Sequence, residues 1–144
     1  VGHFDESAKI TGHVLIERID SDGNVVQTER ANTVTTNGKY GIADQILAAP
    51  SLNKPTHMAI GTGSPAANAL GTELDRNALT SKTRSNAVVT MVGNWAAGDG
   101  TGAITEAGIF DAAAAGNMWC SASFAVVNKA AGDTLQITWT LTIS

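Results

Sequence analysis

The end of the chain constrains the fold more than any other stretch. In Leu135-Gln136-Ile137-Thr138-Trp139-Thr140-Leu141-Thr142-Ile143 every odd position is apolar and every even position polar. Successive side chains of a β-strand point to opposite faces, so a strict period of two describes a strand with one buried face and one wet face. Such half-buried strands belong to antiparallel sheets. The rest of the chain has the material to repeat that solution. Of 144 residues, 43% are hydrophobic and only 15% charged, with aromatics at 5%, so Ala, Val, Ile and Leu carry the apolar content and Thr recurs throughout. Fifteen glycines supply turns. The length suits one domain around one core.

Read along its length, the chain opens with a polar, patternless segment whose only large apolar side chain is Phe4. Residues 1–10 are read as an extended N-terminal arm. Thr11 to Ile19, the turn Asp20-Ser21-Asp22-Gly23-Asn24 and the stretch from Val25 to Arg30 predict a β-hairpin. Asn32 to Thr36 extends it or starts another strand before Asn37-Gly38 interrupts. Tyr40, Ile42, Ala43, Ile46 and Leu47 recur at spacings of three and four, which predicts one helix over residues 39–49. His57 to Ile60 reads as a short strand, residues 65–77 as an ordered surface loop, and the alternation from Leu79 to Val92, running on towards Trp95, as one strand. Ala103 to Phe110 is the next strand, followed by an Ala-Gly turn. Met118 to Val127 is expected to pair with the final strand across Lys129-Ala130-Ala131-Gly132-Asp133. The fold class expected is mainly β: an antiparallel β-sandwich or flattened barrel over residues 11–144, with one short helix and the arm.

Several function classes lose support at this stage. The formal charge of −4 lacks the basic excess that gripping a phosphate backbone requires, so no nucleic-acid partner is expected. No apolar run approaches a membrane span and the first residues do not read as a signal peptide, so no membrane partner and synthesis in the cytoplasm are expected. Gly61-Thr62-Gly63-Ser64-Pro65-Ala66 matches a dinucleotide-binding G-x-G-x-x-A pattern in letters, but without a strand–turn–helix context it reads as a turn. Asp20, Asp22 and Asn24 begin like a calcium loop, yet Gly23 comes too early and Ala31 stands where the bidentate Glu belongs. His3, His13 and His57 are too scattered for a metal motif. Cys120 alternates with Trp119 in a strand and reads as packing. No G-x-S-x-G elbow occurs, and the carboxylates of Glu73, Asp75, Asp99, Glu106 and Asp111 sit at unrelated spacings. No catalytic residue, metal ligand or cofactor is expected. Arg76, Lys82 and Arg84 form the one basic cluster, read as a solvated face or as a docking patch for an acidic protein partner.

Four stretches carry a resemblance: His57-Met58-Ala59-Ile60-Gly61-Thr62-Gly63, Ala69-Leu70-Gly71-Thr72-Glu73-Leu74, Gly102-Ala103-Ile104-Thr105-Glu106-Ala107-Gly108-Ile109-Phe110, and Asn128-Lys129-Ala130-Ala131-Gly132-Asp133-Thr134-Leu135. Together they resemble a family of small structural proteins of the tailed-bacteriophage virion. The resemblance implies a non-enzymatic β-sandwich that works in many copies within a particle. A compact domain with an arm, without the repeats of a fibre shaft, favours a capsid decoration (cement) protein over a tail-fibre or baseplate attachment module. Its expected partners are the major capsid protein and neighbouring copies of itself, as a homo-oligomer in the virion. The expected contact residues are His3 and Phe4 of the arm and Arg76, Lys82 and Arg84 of the basic cluster.

Overall fold

The structure, a computed structural model, describes residues 8–144. His3 and Phe4 therefore lie outside the described residues. The elements run β1 (Ile10–Ile19), β2 (Val25–Ala31), β3 (Thr33–Val34), α1 (Thr36–Asp44), β4 (His57–Gly61), β5 (Glu73–Ala78), β6 (Ser81–Ser85), β7 (Val88–Trp95), β8 (Gly102–Phe110), β9 (Met118–Lys129) and β10 (Thr134–Ile143). They form two five-stranded sheets, ordered β2-β1-β10-β7-β6 and β3-β9-β8-β4-β5, with every pairing antiparallel. The sheets pack face to face as a β-sandwich.

The core follows from the alternation. Leu135, Ile137, Trp139 and Leu141 of β10 are buried, and they meet Val14 and Ile16 of β1 and Met91 and Trp95 of β7 on the inner face of the first sheet. Met58 and Ile60 of β4, Ile104 and Ile109 of β8, and Phe124 and Val127 of β9 close the core from the second sheet. The second sheet is also covered outside, where Leu70 packs on Ala59, Phe110 and Met118.

The hairpin of β1 and β2 forms where expected. Asp20 closes its turn, accepting from the amides of Asp22 and Asn24 at 2.9 Å each, while Gly23 takes a φ of +86° that a side chain would resist. Lys9 and Ser144 exchange both main-chain hydrogen bonds, and Ile10 pairs with Ile143. Lys9 and Ile10, expected in the arm over residues 1–10, are thus tied to the first sheet, and residues 1–7 lie outside the described residues.

Four local expectations are corrected. The helix spans Thr36–Asp44 rather than residues 39–49: the Thr35 hydroxyl caps it by accepting from the Gly38 amide at 2.9 Å, so Asn37-Gly38 opens the helix instead of interrupting. Residues 79–92 are not one strand but a loop and the β6–β7 hairpin, reversed at Asn86-Ala87 with Asn86 at φ +52°. Residues 73–77, assigned to a loop, belong to β5, a polar edge strand. Finally, β9 does not pair with β10. It pairs with β8 and β3, and the turn after Lys129 carries the chain across to the other sheet. That turn is closed by the Asp133 carboxylate, which accepts from the Ala130 amide at 2.8 Å. Turn chemistry of this kind serves a hairpin and an inter-sheet crossing equally, so it did not choose between them.

Candidate functional site

The glycine-rich stretch after β4 has the build of an anion cradle, and it is filled from within the chain. The Glu106 carboxylate is fully buried and accepts from the amides of Gly63 at 2.7 Å, Gly71 at 2.7 Å and Thr72 at 2.8 Å. Ile104 and Ala107 both belong to the core, although three positions apart. A register shift between Ile104 and Glu106 resets the alternation and turns Glu106 to the outer face. The Thr105 hydroxyl donates to the Gly63 carbonyl at 2.7 Å. A Cβ on Gly71 would run into the Ser64 carbonyl, and one on Gly61 into the Thr72 carbonyl. The amide donors that a nucleotide phosphate would need are thus consumed by a side chain of the protein itself.

Two further charged groups serve the fold. Lys129 is 2% exposed and donates to the Ala96 carbonyl at 3.0 Å. Burial holds its ammonium below the ordinary lysine value, partly offset by Asp133, Asp99 and Asp75. Cys120 lies in the core, and burial pushes its thiol up to about 12, which keeps it protonated and inert. Of the histidines described, His13 lies 3.6 Å from Glu29 on the surface and His57 Nδ1 lies 2.8 Å from the Thr56 hydroxyl. Among the described residues no group of three His, Cys, Asp or Glu is placed to hold a metal ion, and no helix is long and apolar enough to cross a membrane.

The basic cluster divides. Arg76 was expected at a docking patch and is instead an internal strut, its side chain 6% exposed. Its guanidinium grips Glu73 with Nη2 at 2.6 Å and Nε at 3.2 Å, donates from Nη1 to the carbonyls of Ala112 at 3.0 Å and Ala115 at 2.9 Å, and stacks 3.7 Å above the Phe110 ring. Lys82 and Arg84 do come together, on one face of the edge strand β6. Lys82 donates to the Pro55 carbonyl at 2.6 Å and Arg84 to the Asn86 carbonyl at 2.9 Å.

Beside them opens an apolar cleft of about 530 Å³ between the end of the first sheet and α1. Met91, Trp119 and Leu141 form its depth, and Ile10, Ile42, Val89 and Ile143 its walls. Lys54, Lys82 and Arg84 are the charged residues that line it, all cationic. Next to the cleft, the stretch from α1 to β4 exposes Tyr40 (62%), Ile46 (87%), Leu47 (58%) and Leu52 (43%). Of the stripe predicted from periodicity, Tyr40, Ala43, Ile46 and Leu47 are exposed, while Ile42 packs against the core. The helix also packs through its glycines: Gly38 lies against the Trp119 backbone and Gly41 against the indole. The cleft and Lys54 were not foreseen. The available signal was Ile143, which continues the apolar alternation of β10 beyond what the core can cover.

Comparison of the chain with protein-family models, with curated proteins and with solved structures finds no match.

Proposed function

We propose that this protein is a non-enzymatic structural component of a tailed-bacteriophage virion, a capsid decoration protein that binds the outer shell through protein–protein contacts and stabilises it. The observation that carries the reading is the apolar surface of Tyr40, Ile46, Leu47 and Leu52 beside a cleft with a cationic rim. Large apolar side chains gathered on one segment of a domain this small mark a surface that another protein covers. The rest of the molecule is built for rigidity: the charged groups of Glu106, Arg76 and Lys129 are spent inside the fold. The resemblance of Thr105-Glu106-Ala107-Gly108 and Gly132-Asp133-Thr134-Leu135 to phage virion proteins supports the choice of particle. A cement protein gains its effect by repeating a modest contact at many sites on a shell.

The test is to mix purified protein with capsids lacking it and to follow binding and shell resistance to heat. Saturable binding to capsids with a raised disruption temperature is the expected result. Binding to isolated tails, with none to capsids, overturns the decoration role in favour of a tail-fibre or baseplate component.

A further inference from the structure

We propose that copies of this chain associate by arm exchange: the segment Phe4-Asp5-Glu6 of one copy docks in the cleft beside α1 of its neighbour. The cleft offers an apolar interior formed by Met91, Trp119 and Leu141, with Lys54, Lys82 and Arg84 on its rim. The arm offers the complement, one aromatic ring followed directly by two carboxylates. A buried phenyl ring supplies the apolar area, and Asp5 and Glu6 meet the cationic rim without being desolvated.

The route of the chain favours a neighbour over the same molecule. Ile10 lines the cleft, and Lys9 is held to Ser144 by both main-chain hydrogen bonds, so the chain is still strand-like where it leaves the sheet. A return to its own cleft would have to be completed within the four residues Asp5-Glu6-Ser7-Ala8. Extended, the chain from Ile10 back to Phe4 spans roughly 20 Å, enough to reach an adjoining copy. The exchange is a property of the isolated protein and needs no particle.

The experiment is sedimentation of the full chain over a range of concentrations at low and high salt. Self-association that weakens with salt is expected. Deleting residues 1–7, or the substitution Phe4→Ala, is expected to weaken it at least tenfold. The double change Lys82→Glu and Arg84→Glu should do the same with an unaltered melting midpoint. Each disabled protein keeps what the other lacks, so mixing the deletion variant with the double variant should restore association. A full chain that stays monomeric throughout, including one whose arm folds back on itself, overturns the exchange. So does association that survives the deletion or the Phe4→Ala change. Failure to bind capsids, by contrast, bears on the decoration role and leaves the exchange standing.

Discussion

A carboxylate without solvent contact is normally costly, and Glu106 avoids that cost through the main-chain amides of Gly63, Gly71 and Thr72. It thereby fixes a loop that otherwise has little apolar surface to hold it. Glu106→Ala leaves those amides without their partner and is expected to cost on the order of 3 kcal/mol, lowering the melting midpoint by roughly 10 °C. A calorimetric midpoint within about 2 °C of the parent would mean that the loop is held by other contacts. Asp44 does a similar task at the end of α1. The Leu52 amide at 2.9 Å, and after it the Ser51 amide and hydroxyl, hold its carboxyl below the ordinary 3.8 against the raising effect of burial. A carboxylate depressed in the folded state contributes stability that is complete above pH 3.8 and lost as pH falls through its folded value. Asp44→Asn is accordingly expected to be less stable than the parent at pH 7, and the gap should narrow below pH 3.8. Urea titrations at pH 7 and pH 3 check this, and a gap that stays constant with pH removes Asp44 from the acid response.

At the scale of elements, legibility in the sequence tracked how many partners a segment has. β10 was plain because it lies in the middle of the first sheet, with one face on the core and the other wet. The β1–β2 hairpin was plain because Asp20 and Gly23 write their own turn. β5 was missed because it is an edge strand, Glu-Leu-Asp-Arg-Asn-Ala, held by main-chain bonds to β4 and not by an apolar face. The helix was placed too late because only Ile42 of its predicted stripe packs against the core, while Tyr40 and Ala43 face out and Ile46 and Leu47 lie beyond its end. Gly38 and Gly41 let the backbone settle on Trp119, and closeness of approach outweighed the area of Ile46 and Leu47. The basic cluster was legible as three cations but not as two separate structures, since nothing in spacing places Arg76 over Phe110. Arg76→Ala is expected to cost about 2 kcal/mol through loss of the Glu73 pair and the stacked ring. Arg76→Lys should recover less than half, because an ammonium has no planar fork to bridge Glu73 and two carbonyls at once. Chemical denaturation of the two variants decides the matter, and equal stability of the lysine variant and the parent would reduce Arg76 to a simple charge.

Across the whole molecule, rigidity and exposed apolar surface are separated. The Glu106 loop, the Arg76 strut and the Lys129 crossing lock the second sheet and its link to the first, whereas the stretch from α1 to β4 carries the largest single group of exposed apolar side chains. The proposed decoration role and the proposed arm exchange together assign the cleft to a neighbour's arm and the adjoining surface of Ile46 and Leu47 to the shell. On this reading, Ile46→Asp with Leu47→Asp should leave the melting midpoint within about 2 °C of the parent, because Ile46 is almost wholly and Leu47 more than half exposed. Occupancy on capsids should nevertheless fall at least about tenfold, since two charges would have to be buried against the partner. Val25 and Val26 on the edge strand β2 are also exposed, at 51% and 49%, but stand apart from the cleft and its rim. Val25→Asp with Val26→Asp is therefore the matched control and should leave occupancy unchanged. Quantifying the protein bound per particle for both pairs tests the polarity directly. If the β2 pair lowers occupancy and the α1 pair does not, the shell is met by the edge of the first sheet, and the surface beside α1 belongs to contacts between copies alone.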